Sequence, residues 1–226
     1  MGGPTKAFRP CKGKSVSMSL TLDVRHLSLN KTAIISGLHL DVPPGVVHTV
    51  MGPSGSGKSS LLAAVCGTLP AVFTFEGTVV LDGVRVDRLP TRQRRVGILF
   101  QDDLLFAHMT VRENLLFAVP AGPRATREAQ VTQALTDLEM PGFAQADPAT
   151  LSGGQRARVA LMRALLALPH ALLLDEPFSK LDTALRQRVR EFVFATVHAR
   201  QIPVLLVTHD AADIADDRHL TTLTPC

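Results

Sequence analysis

Gly52-Pro53-Ser54-Gly55-Ser56-Gly57-Lys58-Ser59 is the stretch on which the reading of this chain turns. Glycines at 52, 55 and 57 let consecutive backbone N–H groups curl around an anion, and a helix starting at the end of the loop adds its positive N-terminal end. In such a cradle Lys58 reaches the β- and γ-phosphates of a nucleotide, and the Ser59 hydroxyl binds magnesium. The flanks agree. Residues 45–51, apolar and β-branched, read as a strand leading in, and Ser60 with residues 61–65 reads as a helix leading out. A Gly/Ser linker ending by chance in Lys-Ser would carry no such strand–loop–helix frame.

Outward from that loop, the chain offers 226 residues, 46% apolar and 19% charged, enough for a single domain with a full buried sheet. No apolar run is long enough to span a bilayer, and the basic start lacks the apolar core of a signal peptide. Patterned sequence begins near Met18, so residues 1–17 read as a disordered basic tail and 18–226 as the domain. Cys11, Cys66 and Cys226 have no metal-ligand spacing and read as inert thiols in a reducing compartment. The net charge of +4 is modest and partly sits in the tail; with no Trp and no Tyr, nothing points to nucleic acid.

Residues 20–24 and 34–42 read as half-polar strands, and 77–86 as a hairpin around an Asp82-Gly83 turn. Together they suit an antiparallel sheet with one wet face. Residues 46–51, 96–100, 171–174 and 203–207 are different: short and almost wholly apolar, as strands buried on both faces of a parallel sheet. Helices are expected over 59–66, 154–168 and 185–200. Residues 111–140 read as helical with a break at Pro120-Ala121-Gly122-Pro123, and about 102–155 is assigned to a small helical subdomain inserted between sheet strands.

Polar residues follow each buried strand. The phosphate loop follows the first, Gln101 the second, Asp175-Glu176 the third and Thr208-His209-Asp210 the fourth. Ligands of open α/β sheets bind outside the carboxyl ends of the strands, so these residues point to one site. A carboxylate at Asp175 is costly to bury without a partner, and magnesium is a fitting one. Glu176, one residue on, faces elsewhere and is free to act as base toward an attacking water. Gln101 could bind magnesium or position that water, and His209 could donate to a γ-phosphate. Read singly, the acidic pair also fits a helix cap, Gln101 a solvated loop and His209 a satisfied surface residue. Leu151-Ser152-Gly153-Gly154-Gln155 adds a second glycine pair at a helix start, with Ser152 as N-cap. One nucleotide seldom needs two such helix starts from one subunit, so two subunits meeting head to tail become a sensible arrangement.

With these residues in view, the chain resembles the nucleotide-binding subunit of an ATP-binding cassette (ABC) transporter. Walker A matches 52–59, the Q-loop Gln101, the signature 151–155, Walker B 172–177, the D-loop Ser179-Lys180-Leu181-Asp182 and the switch histidine His209. The resemblance implies an α/β fold: a P-loop NTPase (RecA-like) core with a mainly parallel sheet, an antiparallel β subdomain and a small α-helical subdomain. It implies ATP and Mg2+ as cofactors, with metal ligands Ser59, Gln101 and Asp175 and catalytic residues Glu176, His209 and Gln101. It places ATP against Gly52, Pro53, Ser54, Gly55, Ser56, Gly57, Lys58, Ser59 and Ser60. Across a dimer, Ser152, Gly153, Gly154, Gln155 and Asp182 of the second copy would complete the site. The implied partners are that second copy, integral membrane permease subunits and an external solute-binding protein, at the cytoplasmic face of the inner membrane. Residues 102–115 lie where the family docks its membrane partner. The segment 99–106 is similar to importers of small polar solutes, including those for thiamine, which favours import. An ABC ATPase of a soluble assembly or repair complex is the competing reading.

Three departures stand out. The region 26–33, where the family stacks adenine on an aromatic, has no aromatic but His26, so weak adenine discrimination is expected. Lys180 replaces a small residue, and Ser60 stands where Thr is common. The stretch after His209 is short, so no appended regulatory domain is expected.

Overall fold

A tight turn at Asn30-Lys31, where both residues take positive φ (47° and 70°), reverses the chain between its first two strands. They are β1 (Leu20–Leu29) and β2 (Thr32–Val42), paired antiparallel with Leu29 opposite Thr32. Both are longer than the alternation alone implies, because pairing continues through the polar residues near the turn. β4 (Phe73–Leu81) pairs with β1 on its other side. The expected Asp82-Gly83 turn then leads into the two-residue β5 (Val84–Arg85), again with positive φ at both turn positions (54° and 77°). Such turns match the natural twist of the strands they join. The computed structural model describes residues 18–224 in all, so the proposed tail 1–17 lies outside the described residues.

The second sheet is parallel throughout, in the order β6-β7-β8-β3-β9. Its strands are β3 (Val47–Met51), β6 (Val96–Leu99), β7 (Ala171–Asp175), β8 (Val204–Thr208) and β9 (Leu220–Thr222). β7 and β8 are buried at every position, as their unbroken apolar sequence requires. β9 is a three-residue edge strand with two threonines, too short and polar to be read in advance; only pairing with β3 defines it.

Helices cover both faces: α1 (Lys58–Cys66), α2 (Val111–Ala118), α3 (Arg124–Asp137), α4 (Gly153–Leu166) and α5 (Thr183–Arg200). One apolar cluster joins the antiparallel sheet, α1 and one face of the parallel sheet, through Leu22, Val50, Leu61, Leu173 and Leu205. A second joins the other face to α4 and α5 through Leu161, Leu172, Phe178, Val193 and Leu206. A third gathers α2, α3 and α4 around Leu115, Leu135, Met140 and Val159. α2 starts on a Thr110–Glu113 capping box, and Pro120 to Pro123 separates it from α3. No helix among the described residues is long and apolar enough to cross a membrane.

Arg94 anchors the far end of α1. Only 8% exposed, it donates to the carbonyls of Ala64 and Val65 in the last turn and to those of Leu89 and Asp87. Four carbonyl acceptors offset the desolvation of one guanidinium. Gly67 closes the helix at φ 84°, and a Cβ there would lie 2.6 Å from the guanidinium carbon of Arg94. The helix that begins at the phosphate loop is thereby fixed at its end.

Candidate active site at the carboxyl edge of the parallel sheet

The phosphate loop leaves β3 and enters α1 as expected. Gly57 is the N-cap, in the left-handed region (φ 89°), with no side chain capping the first turn of the helix. A Cβ at Gly57 would stand 3.2 Å from Ile34 and Ile35, so the start of β2 packs against the helix start. At Gly52 a Cβ would meet the Leu223 carbonyl at 2.8 Å, which leaves no space for a side chain. The buried Lys58 ammonium donates to the carbonyls of Gly52 (2.7 Å) and Pro53 (2.8 Å), folded across its own loop. The cation is held in place before any anion meets it. Ser56 Oγ is buried without a hydrogen-bond partner, while Pro53, Ser54, Gly55 and Ser59 are exposed and Ser60 is half-buried.

Asp175 ends β7 and is 6% exposed. Burial raises its carboxyl above the ordinary carboxylate range, and nearby Glu176 adds to this; the Ser59 hydroxyl bond and Lys58 pull the other way. A buried carboxylate with net upward pressure, bonded to an exposed hydroxyl, is a hard-oxygen pair suited to magnesium shared with phosphate oxygens. No group of three or more His, Cys, Asp or Glu residues among the described residues could hold a metal alone.

Glu176 takes a left-handed backbone conformation, φ 47°, immediately after the strand. Its N–H still donates to Val207 at 2.9 Å, so the strained residue is held to the end of β8. That turn brings its carboxylate Oε1 to 2.9 Å from His209 Nδ1. Residues 33 positions apart thus meet at the sheet edge. α5 starts later, at Thr183, so the acidic pair caps no helix. Gln101 is exposed two residues beyond β6, which ends at Leu99.

Ser152 caps α4 and closes a capping box: its hydroxyl accepts from the Gln155 N–H, and Gln155 Oε1 accepts from the Ser152 N–H at 2.8 Å. Asp182 caps α5 by accepting from the Leu185 N–H. Among the described residues no hydrogen bond joins 151–155 to the phosphate loop. Gly153 and Gly154 form the first turn of α4. Sequence reasoning missed Arg186. It donates from Nε to the Phe178 carbonyl at 3.1 Å and pairs with Asp210, so it ties the turn after Glu176 to the residue after His209. The only sequence signal was an arginine one turn into a helix, which is common on solvated faces.

A family model described as ABC transporter matches residues 35–179. The chain belongs to the ABC transporter family. It is 50% identical over 192 residues to an Escherichia coli (strain K12) protein named "Uncharacterized ABC transporter ATP-binding protein YnjD", covering 84% of this chain and 88% of that one. It is 40% identical over 191 residues to a Bacillus cereus protein named "Sulfate/thiosulfate import ATP-binding protein CysA"; that match covers 80% of this chain and 53% of the relative, about half its length. Among solved structures it resembles "Dimeric structure of a post-hydrolysis state of the ATP-binding cassette MJ0796 bound to ADP and Pi". The TM-score is 0.76 at 28% identity, over 90% of this chain and 94% of that one. The chain is therefore an ABC transporter ATPase subunit with the fold of an ATP-binding cassette, and ATP is its nucleotide.

Proposed function

We propose that this ABC ATPase powers solute import, with ATP held between the phosphate loop of one copy and Ser152-Gly153-Gly154-Gln155 of a second, and with Asp182 at the same interface. The contact between Glu176 and His209 at 2.9 Å carries the catalytic part of this reading. Phosphate oxygens bind the loop N–H groups, the start of α1 and Lys58. Ser59, Asp175 and Gln101 would hold Mg2+, which when bound neutralises charge on the phosphates. Glu176 accepts a proton from the water that attacks the γ-phosphorus as the bond to the bridging oxygen of ADP breaks. His209 orients Glu176 by donating from Nδ1, and in its imidazolium form it would also donate from Nε2 to a γ-phosphate oxygen.

The dimeric MJ0796 structure supports the second copy, and the printed name of CysA supports import. A permease partner is supported by a cavity of about 290 Å³ between β6, α2 and α4, lined by Phe100, Leu104, Phe106, Phe117 and Arg163. Leu104 (58%) and Phe117 (64%) are unusually exposed for apolar residues. An external solute-binding protein completes the system, and the ATPase sits peripherally at the cytoplasmic face of the inner membrane. The helical subdomain of about 102–155 is the part that would meet the permease.

Glu176→Gln tests the mechanism. ATP binding should persist and a stable dimer accumulate, while hydrolysis falls by roughly a hundredfold or more. Normal turnover in this variant would remove Glu176 as the base. Copurification with an integral membrane protein tests the transport reading, and a stable complex with soluble partners alone would overturn it.

A further inference from the structure

Asp103 lies two residues past Gln101, and its Oδ2 faces cations from two other segments. Arg156 Nε and Lys180 Nζ each stand 3.5 Å from that oxygen. The Asp103 side chain is only 12% exposed, although its partners reach solvent. Arg156, in the first turn of α4, also donates to the Leu151 carbonyl at 2.6 Å and so grips the entry to the Ser152 cap. Lys180 lies between Glu176 and the Asp182 cap. The same two segments touch directly: a Cβ on Gly154 would lie 3.3 Å from Leu181 Cδ2 and 3.5 Å from the Lys180 carbonyl.

The support under Asp103 is firm. Arg163 donates to the Leu104 carbonyl at 2.9 Å. Asn114, fully buried, accepts from the Phe106 N–H and donates to the carbonyls of Phe106, Met109 and Thr110. A carboxylate on a fixed segment therefore holds two like charges that would repel each other if it were neutral.

We propose that Asp103 is a positioning residue that locks 151–156 and 179–182 into one unit, so that the half-site a subunit lends to its partner arrives pre-formed. This rests on the head-to-tail dimer proposed above. Pre-organisation reduces the ordering cost of association rather than adding contacts to ATP. Among the described residues no hydrogen bond or ion pair joins Asp103 to the phosphate loop, so nucleotide binding by a single subunit should be independent of it. Lys180 has the same function from the other side of the pair.

The test uses the full chain carrying E176Q, titrated with ATP while dimer is measured by sedimentation velocity. Adding D103N should raise the ATP concentration for half-dimerisation about fivefold, the scale of two partly exposed ion pairs. D103E should restore most of it, and the affinity of monomer for a fluorescent ATP analogue should not change. K180Q should weaken dimerisation by about twofold alone and add nothing on the D103N background. The gap between D103 and D103N proteins should shrink in roughly 0.5 M salt. Unchanged dimerisation in D103N, or a K180Q effect that adds fully to it, overturns the proposal. An E176Q protein that stays monomeric at saturating ATP removes the dimer reading and this proposal together.

Discussion

Helices α1 and α4 both start beside glycines, yet their starts are satisfied in different ways. α1 has a glycine cap, no side-chain bond to its first turn and a lysine fixed across the loop. α4 closes on itself through the Ser152–Gln155 box. The first is therefore ready for an anion, because no protein bond has to be given up at the helix start. In the second, the Ser152 and Gln155 N–H groups are already engaged with each other's side chains, so fewer donors at that helix start are open to an anion. One start suits tight binding within a subunit, and the other suits engagement only when a second copy adds its contacts.

Lys58→Ala should damage the first start most. ATP affinity of the monomer should fall by on the order of a hundredfold, measured by calorimetry, because a fixed charge facing phosphate is removed. If affinity barely changes, the α1 start is not the main anion site. Ser152→Ala should separate the two starts in the opposite direction. Monomer affinity for ATP should hold, ATP-driven dimerisation should weaken about tenfold, and stability should fall by about 1 kcal/mol through the lost cap. A loss of monomer affinity equal to that in Lys58→Ala would erase the distinction.

Asp175 sharpens the electrostatics beside α1. Its folded-state carboxyl is raised by burial, so the native state holds the proton more tightly than the unfolded chain. The stability linked to this group is present below the unfolded carboxylate range and is lost as pH rises through the raised folded value. Without nucleotide or metal, Asp175→Asn should melt higher than the parent at pH 7, and the difference should close as pH falls toward 4. An Asn variant that melts lower at pH 7 would contradict the burial argument.

The smallest effect concerns the base. β4 brings Phe73 opposite Leu29, beside the turn at 30–31 where the chain has no aromatic of its own. In competition assays ATP should be preferred over GTP by less than about tenfold, because stacking, the contact a ring here supplies, is tolerant of which base is stacked. A strong ATP preference would contradict this, and weaker binding of both nucleotides in Phe73→Ala would show this ring in the stacking role.

Most of the parallel sheet was legible because strands buried on both faces must be apolar throughout, and each ends in a polar residue where the site lies. The phosphate loop was legible because few backbones need glycine at 52, 55 and 57 followed by Lys-Ser. β9 escaped because edge pairing asks little of side chains. Phe73 escaped because proximity to residues 26–33 comes from cross-strand register rather than sequence distance.

By itself the sequence determined the strand–loop–helix frame at 52–59, the alternation of buried strands with helices and the identity of the polar residues at strand ends, since these follow from local sterics and burial. The tertiary structure alone decided which of those polar groups meet. It turned Glu176 through a left-handed backbone to reach His209, and set Asp103 between Arg156 and Lys180. Such contacts depend on strand order and chain reversal, which no local pattern encodes.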